Sequence, residues 1–168
     1  MAKAKDIKYA ILSKTADSHG VYYFTKDNIN YIGNIYIIVR GMNDEEFRVA
    51  IEKAKAEKLD KDDTIDIAVN HVNEVKNKGY HAAYTKLCFN SASGLVHFFK
   101  ADNGLVINLY DKFYALLKDQ QVSHIFGLSP ERGLVFELND GKDIMILPMR
   151  LSLNGIEAEN LEKVLDIL

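Results

Sequence analysis

A single cysteine, Cys88, stands in a chain of 168 residues, so no internal disulfide can form. The opening MAKAKDIKYAIL has no apolar core of the kind a secretory leader needs, and no run is long enough to span a bilayer. The reducing cytoplasm is therefore the expected compartment, with no membrane partner. Also missing are the short motifs that announce catalysis: no nucleophile elbow, no phosphate-binding glycine loop, no HExxH and no CxxC pair. Ser18-His19-Gly20 reads as a turn, and His97, inside the apolar HFF run, as a satisfied or edge histidine rather than a base. The separations of His71, Glu74 and His81 match no zinc signature. No enzyme, metal or cofactor is expected, although catalytic groups converge in space rather than in sequence. Cys88 lies in the strand-like KLCFN with no helpful His or Lys beside it, and reads as a small buried hydrophobe rather than a reactive thiol.

What is present is a globular composition. A net charge of −3 with 48% hydrophobic residues excludes disorder and argues against nucleic-acid binding over the whole surface, while leaving room for a local basic strip. The length predicts one compact domain, or one with a small appendage.

The most legible stretch is 107–151. Tyr110, Phe113, Tyr114 and Leu117 fall at i, i+3, i+4, i+7, which predicts a helix over Asp111 to Asp119 with one apolar face, to be laid on a sheet. VSHIFGLS, GLVFEL and KDIMILPM follow as strands. The turns between them have a mechanism: Pro130 presets φ in SPERG, and Asp140-Gly141 accepts the positive φ of a tight hairpin. A βαβββ unit results.

Earlier, VYYFTK, INYIG and IYIIVRG read as a three-stranded meander broken at Asp27-Asn28 and Gly33-Asn34, with Ile35 to Val39 as a central strand. KYAILSKTADSHG before it is too short and too β-branched to predict a helix. A helix is predicted from Asp44 to about Leu59, capped by Asn43 or Asp44, with acids at its start and lysines at its end. Phe47, Ala50, Ile51 and Ala54 form its buried stripe. After a charged linker, Ile65, Ala68, Val69, Val72 and Val75 suit a further helix that Gly79 ends, although these β-branched residues also suit a strand. An internal echo links GLVHFFKADNGLVINL and GLVFELNDGKDIMIL: each opens on Gly-Leu-Val and turns on Asn, Asp and Gly.

Three segments carry a family resemblance: Lys112-Phe113-Tyr114-Ala115-Leu116-Leu117, then Ser129-Pro130 leading to Gly133-Leu134-Val135, then Ile146-Leu147-Pro148-Met149-Arg150-Leu151. In order and spacing they resemble the last half-domain of the bacterial DNA polymerase sliding clamp, the beta-subunit family, which closes on a similar strand, helix, hairpin and MPMRL tail. Tyr23-Phe24 through Arg40 loosely resembles an early half-domain passage. The resemblance implies an α+β, DNA-clamp-like domain over 1–151. Its two βαβββ-type half-units, about 1–83 and 84–151, would set their helices on one face of a curved antiparallel sheet.

Function follows by the same resemblance: a non-catalytic protein that tethers a replication or repair partner to DNA, assembled from several copies if a ring closes, and of phage or mobile-element type. Leu147, Pro148, Met149, Arg150 and Leu151 would wall a cleft for a short peptide from DNA polymerase or a relative. Arg48, Lys53, Lys55 and Lys58 from the first helix, with Lys112 and Lys118 from the second, would face double-stranded DNA; the alternative is that they are ordinary solvated charges. Residues 152–168 continue past the usual family terminus as an amphipathic helix through Leu161, Val164, Leu165 and Leu168. Completing the core is the commonest fate of such a helix; covering the cleft or joining copies are the others. The other functional reading is a stand-alone interaction or inhibitor domain with no DNA ring. It is suggested by four Lys/Arg against eight Asp/Glu in residues 129–168.

Overall fold

A computed structural model describes residues 6–91, 94–148 and 155–167. The chain starts with a helix that local preference does not announce, α1 (Ala10–Thr15). It is fixed from outside: Leu12 is fully buried, and the Asn34 side-chain amide donates to Leu12 O and Thr15 Oγ1, each at 3.0 Å. Tertiary contact makes a six-residue helix that would not persist alone.

The predicted meander follows. β1 (Tyr22–Lys26) and β2 (Ile29–Gly33) are joined by Asp27 and Asn28, both at positive φ, in the two-residue turn that matches strand twist. β3 (Ile37–Arg40) pairs with β2, and Ile37 and Val39 are fully buried, as a central strand requires.

α2 (Asp44–Ala54) begins as predicted, with the Asn43 side chain accepting the Glu46 N–H at 2.8 Å. Its end differs. Lys55 turns left-handed at φ 53°, and the chain is then taken up by the edge of β1 as β4 (Glu57–Lys58), parallel to it, so no helix reaches Leu59. A lysine in that conformation is strained where glycine is not, so Lys55→Gly is expected to raise stability by about 0.5–1 kcal/mol, read as a higher melting temperature.

α3 (Asp62–Lys78) runs through the middle of the chain and ends at Gly79. β5 (Tyr80–Ser91), β6 (Gly94–Ala101) and β7 (Val106–Tyr110) follow. α4 (Asp111–Tyr114) tightens into a 3-10 turn over Ala115–Leu117. It stops short of Asp119, which is itself at positive φ; of its predicted apolar face Tyr110, Phe113 and Leu117 are buried and Tyr114 is half-buried, while Leu116, outside that face, is buried as well. β8 (Val122–Gly127), β9 (Leu134–Leu138) and β10 (Asp143–Ile146) complete the βαβββ unit. α5 (Gly155–Ile167) is the predicted terminal helix, and Leu161 packs on the main core.

All ten strands form one sheet, in the order β4-β1-β2-β3-β10-β9-β8-β5-β6-β7. The echoed sequences become matching turns. Gly104 and Gly141 both lie at positive φ and donate to Ala101 O and Leu138 O, whose own N–H groups return to Leu105 O and Lys142 O.

A larger repeat surrounds them. A helix plus a three-stranded meander occurs twice, over 10–40 and 111–146, and the copies meet where β3 and β10 pair antiparallel with Ile37 opposite Ile146. Only the second copy follows a strand, β7, as the expected βαβββ unit does; among the described residues no strand precedes α1, so the first copy is αβββ. α1, α2 and α4 share a single apolar cluster with one face of the sheet, through Leu12, Ala50 and Phe113. α3 breaks the expected one-sided arrangement: Val72 and Val75 pack on Val135 and Met145 of the opposite face, giving three layers.

Two polar ties lock these layers. On the α3 side, buried Asp143 accepts from Arg40 Nε at 2.9 Å and from Lys76 Nζ at 3.1 Å, while Arg40 also reaches Tyr31 and Asn73. On the other side, Lys142 Nζ lies 2.7 Å from Glu46 Oε1 and 2.9 Å from Asp140, and Tyr9 donates to the same Glu46 oxygen. Burial opposes the Lys142 charge, but the hydrogen bonds to Glu46 and Asp140 outweigh it and raise its pKa.

Candidate partner cleft and helical face

Both apolar anchors of α3, Val72 and Val75, lie in its C-terminal half. The N-terminal half stands off the sheet, with Ile67 exposed, and leaves an apolar cleft of about 370 Å³ over β1, β2 and β3. Phe24, Tyr31, Ile35, Ile38, Leu59 and Ala68 contribute to its lining. Ile35 is 44% exposed, a high value for an isoleucine, and Lys61 is a charged residue in the same lining.

The cleft adjoins part of the expected partner site. Ile38 lines it and also packs on the cluster that holds Leu147, whose N–H donates to Tyr36 O at 2.8 Å. Leu147, packed on that cluster, and Pro148 follow β10 and are both half-buried; Met149, Arg150 and Leu151 lie outside the described residues. The sequence did not single out Ile35 and Ile38 as cleft residues. Their only signal was an apolar run longer than a single buried face requires.

The six basic residues expected at DNA are all exposed, but they do not form one strip. Arg48 and Lys53 are on α2, and Lys55 ends it. Lys58 belongs to the edge strand β4 instead of a helix. Lys112 lies on α4 with its ammonium 5.1 Å from the Phe113 ring centre, and Lys118 follows the 3-10 turn. α2 and α4 do share a side of the sheet, each touching α1 between them. Exposed acids are interleaved there: Asp44, Glu45 and Glu52 on α2, Asp111 on α4. Lys53 borders a notch whose other charged residues, Asp6, Glu45 and Glu46, are all acidic.

His71, Glu74 and His81 are not brought together as ligands. Glu74 pairs with Arg132 at 3.5 Å, and His81 packs against the rings of His124 and Phe126. Burial, with the Arg132 charge, lowers the His71 pKa. Among the described residues no three His, Cys, Asp or Glu side chains are grouped to hold a metal, and no helix is long and apolar enough to cross a membrane. Cys88 departs from expectation: it is exposed, with its sulfur turned toward His97.

No protein-family model matches the sequence, and neither curated proteins nor solved structures give a match.

Proposed function

We propose that this chain is a non-catalytic, clamp-like tethering domain: the cleft beside Leu147 takes a short apolar peptide from a replication or repair partner, and the helical side faces double-stranded DNA when copies assemble. The observation that carries the reading is the repeated helix and meander, joined β3 to β10, with α1 and α4 in contact on one side. The apolar cleft on the other side adds a place for a partner. Assembly has a route as well. β7 ends the sheet and, among the described residues, pairs only with β6, so its outer edge can extend a neighbour's sheet.

The peptide limb is tested by fluorescence anisotropy with a labelled polymerase-tail peptide. Ile35→Asp, on an exposed side chain, is expected to weaken binding about tenfold or more with the melting temperature held, since burying a carboxylate in an apolar site is costly. Unchanged affinity removes the cleft from the proposal. For the DNA limb, log affinity should fall linearly with log salt, and Lys112→Glu with Lys118→Glu should flatten that slope by about one unit for each phosphate no longer neutralised.

One observation favours the second reading, a stand-alone interaction or inhibitor domain without a DNA ring. The acids interleaved on the helical side weaken any field that would attract phosphates. Sedimentation separates the two: a closed multimer belongs to the first, a monomer or dimer with no DNA affinity at low salt to the second.

A further inference from the structure

On the helical side of the sheet, across from the cleft, one thiol sits in a chemically specific setting. A regular strand would hold Tyr84 and Cys88 about 13 Å apart. Here β5 bulges between them: Tyr84 faces Phe99 and Cys88 faces His97, so four residues on one strand span two on the other. Lys86 at φ 65° makes the bend, and Thr85 fastens it, donating to Phe98 O and accepting from the Leu87 N–H.

The compression brings both side chains onto one imidazole. Cys88 Sγ is 3.3 Å from His97 Nδ1, and the Tyr84 hydroxyl is 2.7 Å from Nδ1 and 3.2 Å from Sγ. On the far side of the ring, His97 Nε2 lies 2.7 Å from Asp111 Oδ1. A carboxylate only accepts, so Nε2 carries the ring proton and Nδ1 is left with a single lone pair, which takes the Tyr84 O–H at 2.7 Å, while the Cys88 thiol donates to the Tyr84 oxygen at 3.2 Å. Burial and the hydrogen bond with Cys88 raise the Tyr84 pKa, so that hydroxyl keeps its proton at neutral pH and does not become a competing anion. His97 is 8% exposed, whereas Cys88 is open to solvent.

We propose that Cys88 is a nucleophilic thiol that exchanges with small disulfides, with His97 as its proton acceptor and Asp111 as the residue that positions His97. In the step, the S–H bond breaks as its proton passes to the Tyr84 oxygen while the Tyr84 proton passes to Nδ1, and Sγ attacks one sulfur of the disulfide. A Cys88–S–S–R bond forms. The other sulfur leaves as a thiolate and takes the proton back from the imidazolium, so Cys88 is oxidised and half of the reagent is reduced. The chain has no second cysteine to displace the adduct, and the mixed disulfide therefore persists. This site is independent of the tethering reading.

The test uses the full chain and 4,4′-dithiodipyridine, followed by released thiopyridone and intact mass. At pH 6.5 the folded protein should react about tenfold or more faster than the same chain unfolded in denaturant, within the range that a positioned base supplies. His97→Gln should remove the advantage while circular dichroism is unchanged, and free imidazole should restore part of it in His97→Gly. Asp111→Asn should slow the reaction less than His97→Gln does. Equal rates for the folded and unfolded chain would overturn the proposal, as would a folded His97→Gln variant reacting at the wild-type rate.

Discussion

Asp143→Ala is expected to cost about 3–5 kcal/mol of folding stability, read as a shift of the urea midpoint, because it strands the buried Arg40 cation. Asp143 is 5% exposed and is the shared acceptor of Arg40 and Lys76. With the carboxylate gone, the Arg40 guanidinium keeps Tyr31 and Asn73 but is left without a counter-charge among the described residues. Lys76 retains Glu137 at 3.1 Å, so the damage centres on Arg40. A double variant, Arg40→Met with Asp143→Leu, should recover most of the loss, since an apolar pair of similar volume leaves no charge unpaired. The same region responds to acid. The hydrogen bond from Lys76 holds the Glu137 carboxyl below the usual range. Its contribution is complete above the unfolded value near 4.3 and is lost as pH falls through the lower folded value. Glu137→Gln should therefore flatten the acid limb of the stability curve.

Gly133→Ala is the second large effect, expected at about 2–4 kcal/mol. Gly133 is at φ 75°, and a Cβ there would lie 2.2 Å from Ile146 O, 2.9 Å from Leu147 Cα and 2.9 Å from Pro148 Cδ. Backbone cannot yield as a side-chain tip can, so β10 must move or the turn must open. The displaced segment is Leu147-Pro148, and peptide affinity should fall in step with stability. Gly104→Ala is the control. It shares the positive φ but has no atom within 4 Å, so it should cost only the conformational part, about 1 kcal/mol. Equal losses in both variants would show that crowding at Gly133 is relieved without consequence.

The parts of the fold legible in the sequence were those whose local chemistry and tertiary surroundings agree. The stretch from Val106 to Ile146 could be read because its turns sit on Asn, Asp and Gly and its helix face on Phe113 and Leu117. α1 was invisible because its stability lies in Asn34, some twenty residues away. The end of α2 was misplaced because a lysine, Lys55, takes the left-handed position that usually advertises itself as glycine. Periodicity suited α3 to a helix, with a strand left open by its β-branched residues, and carried no information on which face of the sheet it covers. At the candidate sites the limit was of the same kind. Leu147 and Pro148 were proposed from a linear resemblance, while Ile35 and Ile38 became cleft residues only once α3 stood away from them. Cys88 looked inert because its neighbours in the chain are apolar. Its polar companions, His97 and Asp111, arrive from other elements through a bulge that no periodicity encodes.

The junction of β3 with β10 has a consequence for synthesis on the ribosome. Arg40 emerges 103 residues before the Asp143 that neutralises it. During that interval the nascent chain presents an apolar strand with one unsatisfied edge, a template for pairing with any other extended polypeptide. Stalled translation products ending before residue 143 should therefore aggregate or recruit chaperones, whereas those that extend past Ile146 should become protease-resistant in a single step.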